Sequence, residues 1–349
     1  MQHWTNGRFD DILSHCCFVT HLPKKKFNMT STTPLLCSLL LASTAGADLI
    51  IESVPSNAPQ GFSQVFTKHV DVLGLHVYAS SATSNAKVLH AARTLAQWID
   101  NDEDGTADEP QVHATMVSLH ASMIMWQTEN EFEQSGAEDI IPDSVFDSTV
   151  LQLLFGDETR PGYPENQNFD ASLEECLHLV TFGGYAITYP NIFGEFPGTQ
   201  VADAMDANIA GGWFHYDDWT CEYDCLITEY TYWALTSMLG AQNYSWRISE
   251  ITQEWELYSD SLMQTHDPAM RALLSDPQWK FATVLPDDDY SPSAPCLGDV
   301  DDDQGVGVND LLAVISDWGQ GGTGTDLDED GTVGVNDLLI VISQWGPCN

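Results

Sequence analysis

The chain has 349 residues, 43% of them hydrophobic, which is enough for one sizeable core plus a small accessory module and excludes disorder throughout. Eleven Lys+Arg stand against 52 Asp+Glu, a formal charge of −41. Such a surface excludes nucleic acid and anionic membranes as partners, and it calls for bound cations wherever the carboxylates cluster.

Taken in chain order, residues 35–42 form an apolar stretch too short to span a bilayer, and it runs into Ala45-Gly46-Ala47, a small-residue cleavage pattern. Residues 1–47 therefore read as a leader removed on export, with Lys24-Lys25-Lys26 as its positive flank and Met29 as an alternative start. The expected location is secreted or cell-surface associated, with no membrane span. Export makes disulfides permissible. Cys296 and Cys348 bracket the C-terminal segment and are the first expected pair; Cys221 and Cys225 are near enough to pair locally, which would leave Cys176 reduced and buried, with a Cys176 bridge to one of them as the alternative.

Residues 48–286 read as the main domain, an α-rich α+β fold. Helical patterning covers 85–99, 111–126, 172–182, 225–239 and 248–263, and weaker strand signals fall at 49–54, 73–78 and 181–189. Between the first two helices lies an acidic loop, 100–111, with Asp100, Asp102, Asp104 and Asp108 at positions 1, 3, 5 and 9 of a calcium-type loop and Gln111 at position 12, where a bidentate carboxylate would be expected. His90, His113 and His120 read as buried, hydrogen-bonded histidines, and Met116, Met123, Met125 and Trp126 as core filling. Farther on, Glu174-Glu175-Cys176-Leu177-His178 places Glu174 and His178 one helical turn apart on one face with Glu175 beside them, and Glu229 follows 51 residues after His178. The stretch Trp213-Phe214-His215-Tyr216-Asp217-Asp218-Trp219 sets aromatic faces beside two carboxylates, a pattern suited to stacking on sugar rings and to acid-base glycoside hydrolysis.

An acidic, Pro/Ser-rich linker is expected at 287–295. Beyond it, 296–349 repeats itself with a period of 27, so that 299–319 aligns with 326–346. Asp299, Asp301, Asp303 and Asp310 occupy loop positions 1, 3, 5 and 12, and Asp326, Asp328, Asp330 and Asp337 do the same in the second copy. Alternating carboxylates on a tight loop converge on one hard cation, and calcium fits the number of protein oxygens better than magnesium. Gly331 holds the sharp-turn position 6 in the second loop, where the first has Gln304. After each loop Leu311, Leu312, Val314, Ile315 and Trp318, matched by Leu338, Leu339, Val341, Ile342 and Trp345, form an apolar stripe at helical spacing, and two such helices are expected to bury their stripes against each other.

With loop and following helix repeated, flanking cysteines and no helix before either loop, residues 296–349 resemble a compact dockerin, a small all-α tandem of calcium loop-helix units. The resemblance implies docking of an exported, often polysaccharide-degrading, protein onto a cohesin-like or other protein partner through positions 10 and 11 of the loops. Those positions are Val308-Asn309 and Val335-Asn336, the same in both copies and unlike the Ser-Thr pair of well-known members, which suggests two-way docking. In the main domain, 174–178 resembles the helix of zincin metallopeptidases with Glu174 in place of the first histidine. By that resemblance Glu174, His178 and Glu229 would hold a metal, with zinc possible, Glu175 would be the general base, and Tyr230, Tyr232 or His215 would steady an oxyanion. The expected function is thus a metal-dependent hydrolase acting on protein; the alternatives are a carbohydrate-binding or glycoside-hydrolysing domain acting on polysaccharide, and a non-catalytic scaffold or adhesion component.

Overall fold

The computed structural model describes residues 49–164, 167–216, 219–292, 296–301, 303, 305–321, 323–328 and 330–348. The expected leader, Asp217, Asp218 and Gln304 therefore lie outside the described residues. The chain divides into two compact units, one comprising residues 48–291 and the other 292–349.

The first unit starts with a short helix α1 (Phe62–Val65) and the hairpin β1 (Lys68–Val72) and β2 (Leu75–Ala79). Leu73 and Gly74 both take positive φ, 54° and 84°, the two-residue turn whose twist suits a tight hairpin, and Gly74 N–H donates to Asp71 Oδ1 at 3.0 Å. The chain then crosses through α2 (Asn85–Ile99) and α3 (Pro110–Ser118) to β3 (Ser122–Trp126), and through α4 (Glu129–Gln134), α5 (Ala137–Ile140) and α6 (Asp143–Phe146) to β4 (Leu151–Phe155). The sheet order is β1-β2-β3-β4, antiparallel in the hairpin and parallel thereafter. Alternation along the strands feeds two cores. Val77, Ala79, Met123, Met125 and Leu154 face the larger one with α2, while Tyr78, Ile124, Trp126 and Leu151 face a second one closed by Phe62, Phe66 and Phe132.

Next come α7 (Ala171–Val180), a π-helical turn over Thr181–Tyr185, α8 (Ala186–Thr188), α9 (Pro190–Phe193), α10 (Gln200–Gly211), α11 (Tyr223–Met238), α12 (Ser245–Ile251), α13 (Asp260–His266) and α14 (Pro268–Leu274). The π turn depends on glycine: a Cβ on Gly184 would sit 2.7 Å from Val112 Cγ1 and one on Gly183 2.8 Å from Val150 Cγ1. These close approaches let α3 and the entry to β4 press on the helix.

Several expectations are corrected. Residues 111–126 are a helix to Ser118 and then strand β3, because Ser122–Trp126 is buried on both sides. The stretch 181–189 is helical, since its Thr-Phe-Gly-Gly-Tyr run is enclosed all round. Residues 248–263 form two helices interrupted where Trp255 plugs into the core and bridges Phe214. At 49–54 there is only the isolated bridge of Glu52 to His69. His120 is exposed, in a turn with φ of 50°.

The expected linker is in part a strap. Gln97 Nε2 donates to Asp287 Oδ1 at 2.8 Å, and Gln97 Oε1 accepts from the backbone of Asp287 at 3.0 Å and Asp288 at 3.2 Å. Tyr290 O–H donates to Asp100 Oδ2 at 2.6 Å.

In the second unit, β5 (Gly305–Val306) leads into α15 (Val308–Ser316), and α16 (Val335–Ser343) leads into β6 (Gly346–Pro347). The antiparallel β5-β6 ladder means that the unit is not all-α. Cys296–Cys348 closes its ends, Cys221–Cys225 forms in the first unit, and Cys176 is free and buried. The repeated stripe splits in two. Val314 and Val341 are buried with Val306 and Val333, whereas Leu312, Ile315, Trp318, Leu339, Ile342 and Trp345 are each about half exposed. Among the described residues no helix is long and apolar enough to cross a membrane.

Candidate metal centre

Helix α7 starts cleanly because Asp170 caps it, its carboxylate accepting from Ser172 N–H at 3.3 Å and Ser172 O–H at 2.5 Å. Asp170 is in turn gripped by His90 Nε2 at 2.6 Å, and His90 Nδ1 lies 3.0 Å from Asp288 of the strap. Burial opposes the charge on His90, yet its two carboxylate neighbours prevail and raise its pKa to about 9.

From this anchored start α7 presents Glu174 and His178 toward Glu229 of α11. One ligand atom from each lies within 4.8 Å of the others, and His178 Nε2 is 3.9 Å from Glu229 Oε2. Glu229 and His178 are fully buried, whereas Glu174 is partly exposed. Neither ring nitrogen of His178 and neither oxygen of Glu229 makes a well-aligned hydrogen bond. Burial lowers the His178 pKa against the pull of Glu229. Burial also raises Glu229 to about 8, opposed by His178, reinforced by Glu174 and Glu175, and opposed again by the Tyr216 hydroxyl. Glu174 is likewise pushed up by burial and by Glu175, with Arg247 pulling it back.

Glu175 lies beside this group, its Oε2 3.7 Å from His178 Nδ1, and accepts a hydrogen bond from Gln152 Nε2 of β4. Burial drives its pKa well up. Of the three groups weighed for an oxyanion, Tyr230 donates to buried Asp267, and His215 is exposed with its ring nitrogen 2.9 Å from Gly212 O. Tyr232 alone borders the centre, its ring edge-on to His178 at 5.7 Å. Gln152, Gln242 and Arg247 are invisible in the sequence, because isolated polar residues in separate elements leave no periodic or spacing signal.

The donor set passes a simple test of fit. Two carboxylates and one imidazole are groups that bind divalent transition metals at about 2 Å. Buried polar atoms without an aligned partner call for an explanation, a bound water or ion among them; here they also occur singly on residues such as His69, Asn208 and Trp233, and it is their pairing on adjacent His178 and Glu229 that sets this place apart.

The acidic loops are also formed. Asp100, Asp102 and Asp104, then Asp299, Asp301 and Asp303, then Asp326, Asp328 and Asp330 each bring three carboxylates within 4.8 Å of one another. Gly105 and Gly331 take positive φ at the sharp turn, 85° and 90°. Asp310 accepts from the backbone of Val300, Asp301 and Gly307, and Asp337 from that of Leu327, Asp328 and Gly334. The position-12 side chains thus tie each loop to the first turn of its helix. Asp108 instead accepts from Asn101 N–H at 2.7 Å, and Glu109 caps α3 through Val112 N–H at 2.5 Å. The aromatic stretch does not form one platform: Phe214 is core, Trp213 lies against the His266 ring at 4.3 Å, tilted by 39°, and Trp219 is 92% exposed.

Comparison with known proteins returns no matching family model, no similar curated protein and no similar solved structure.

Proposed function

We propose that this is an exported, calcium-stabilised protein whose first unit is a metal-dependent hydrolase of the peptidase kind and whose second unit is a dockerin-like docking module. The observation that carries the enzymatic part is the set of unmatched buried atoms on His178 and Glu229 beside Glu174. These three residues would hold the metal, zinc being the first candidate. When bound, such an ion supplies a Lewis acid that makes water nucleophilic near neutral pH. Glu175, fixed by Gln152, takes the proton of the attacking water and returns it to the leaving nitrogen. Asp170 and His90 hold the first turn of α7 so that Glu174 keeps its place.

The docking part is supported by the outward ridges of Leu312, Ile315 and Trp318 and of Leu339, Ile342 and Trp345, which offer an apolar partner the same surface twice. Val308 and Val335, 60% and 61% exposed, stand at the head of each ridge. Calcium would neutralise the carboxylate loops behind them.

Metal analysis of the full chain tests the enzymatic reading. About one transition-metal ion per chain, retained beside calcium and lost in Glu229→Ala, supports it; calcium alone overturns it. Comparing Glu175→Ala with the parent on protein and polysaccharide substrates then separates the chemistries, and loss confined to glycan turnover would favour glycoside hydrolysis.

A further inference from the structure

The β1-β2 hairpin gathers ionisable side chains that the centre on α7 and α11 does not use. In the antiparallel register His69 stands opposite Tyr78 and Asp71 opposite His76, so all four side chains share the face that Tyr78 turns to the second core, across the sheet from the larger core to which α7 belongs. His69 Nε2 and His76 Nδ1 are 3.0 Å apart, and Asp71 Oδ2 lies 3.8 Å from that same His76 nitrogen. Glu52, bridged to His69 by backbone hydrogen bonds of 2.8 and 2.9 Å, brings a second carboxylate whose charge is felt at His69.

A hydrogen bond between the two rings accounts for their spacing and for one proton. It leaves His69, 4% exposed, with Nδ1 buried and without an aligned partner. Nor does it give a reason for two carboxylates to stand beside two imidazoles whose pKa values burial lowers. The spacing has a second meaning. Two imidazole nitrogens on one late first-row ion, each at about 2.0–2.1 Å, are about 2.9 Å apart when they subtend a right angle and about 3.3 Å apart when they subtend the tetrahedral angle. The observed 3.0 Å is close to the right angle, which suits a tetragonal cupric site with nitrogen and oxygen ligands better than four-coordinate zinc. Asp71 Oδ1 is held by Gly74 N–H at 3.0 Å, so Oδ2 is the oxygen turned toward an ion between the rings. The two carboxylates would offset the charge of that ion, and the ion would tie β1, at the edge of the sheet, to β2.

We infer that His69 Nε2, His76 Nδ1 and Asp71 Oδ2 form a second metal site, selective for a cupric ion over zinc, that fastens the edge hairpin. The inference is independent of the hydrolase reading, because it uses neither the residues nor the face of the sheet on which that reading depends.

The test uses the full chain with calcium and glycine in excess, glycine to strip copper from weak surface sites, and one equivalent of Zn2+ for the other centre. One equivalent of Cu2+ should then give an axial electron paramagnetic resonance spectrum with coupling to two imidazole nitrogens. The centre on α7 and α11 offers one imidazole, so coupling to two identifies the hairpin. A tenfold excess of Zn2+ should not displace the signal. His76→Gln keeps an amide that can hydrogen-bond His69 but ligates poorly; it should abolish the two-nitrogen coupling and weaken Cu2+ by about a hundredfold or more, at or beyond the top of the range for loss of an outer partner of a metal site. Hydrogen exchange over residues 68–79 should slow when Cu2+ is added to the parent and stay unchanged in the variant. A parent spectrum without coupling to two imidazoles, an affinity unmoved by His76→Gln, or copper displaced by the zinc excess overturns the inference and leaves the rings a hydrogen-bonded pair. Should His76→Gln fail to fold, Asp71→Asn at its exposed position decides: Cu2+ affinity falls by about tenfold if the inference holds and is unchanged if it does not.

Discussion

Loading and unloading the centre should move the stability of the first unit by an amount that can be worked out. Two nitrogens of His178 and two oxygens of Glu229 are buried without aligned partners. At about 1–3 kcal/mol for each unmatched group, one imidazole and one carboxylate burden the metal-free unit by about 2–6 kcal/mol, a large share of the net stability of a typical domain at about 5–15 kcal/mol. A ligand that binds only the folded state adds about 2.7 kcal/mol at a hundred times its Kd and about 4.1 kcal/mol at a thousand times. For a unit spanning residues 48–291, each kcal/mol is worth about 2–4 °C, so zinc should raise Tm by about 5–16 °C over the chelated protein at fixed calcium. Scanning calorimetry of the full chain reads this directly. The companion variant is His178→Leu with Glu229→Met, which replaces the unmatched groups by apolar ones. It should abolish the zinc response and leave the metal-free unit as stable as the parent or about 1–4 kcal/mol more so. A metal-free parent that melts with the loaded protein, or a double variant melting well below the metal-free parent, would refute the reasoning.

Three further outcomes are expected. Asp301→Ala combined with Asp328→Ala should abolish the calcium-dependent protection of residues 296–349 from proteolysis, a protection that a calcium chelator should remove from the parent; cleavage indifferent to calcium in the parent would tell against the loops. His90, held between Asp170 and Asp288 with Arg93 3.4 Å from the latter, has a raised pKa of about 9. Its charge-pairing should contribute fully below the unfolded value of about 6.5 and fade as pH climbs through about 9, so that His90→Gln flattens the alkaline fall in Tm; an alkaline limb identical in both proteins would exclude this role. Gly184→Ala forces a Cβ to 2.7 Å from Val112 Cγ1 and 3.0 Å from Met116 Sδ, and should cost about 1–3 kcal/mol by denaturant unfolding.

How much of this was legible depended on whether the signal was local. Residues 85–99 show one clean apolar face, and the helix Asn85–Ile99 matches. The Met-Ile-Met-Trp run at 123–126 has no polar side, because a strand with cores on both faces loses its alternation, and it was absorbed into a helix. The Glu174–His178 pair could be seen because i and i+4 share a face, but Gln152 and Arg247 reach the centre only through tertiary folding. In the second unit the stripe lies on helices up to Ile315 and Ile342, with Trp318 and Trp345 just past the helix ends, and it has two directions instead of one. Its width exceeds what one seam can bury, so half of it faces outward.

The acidic excess shows which carboxylate is the exception. With 52 acidic and 11 basic residues, the buried acids cannot all find a lysine or arginine. The fold supplies other partners. Asp170 takes His90, Asp267 takes Tyr230 and Asn208, Asp100 takes Tyr290, and Asp310 and Asp337 each take three backbone N–H groups. Even Glu175 and Glu195 have an amide or a hydroxyl. Glu229, fully buried, is less well served: it has the Tyr216 hydroxyl as a donor but neither oxygen in an aligned hydrogen bond, and the histidine beside it is unmatched as well. Neutralising Glu229 by protonation would relieve the charge on the acid and offer His178 a donor at Nε2 alone, from 3.9 Å away. A cation between them would engage an oxygen of Glu229 and one ring nitrogen of His178 at once, leaving Nδ1 to Glu175, 3.7 Å away, and it is a partner that takes an imidazole and a carboxylate together.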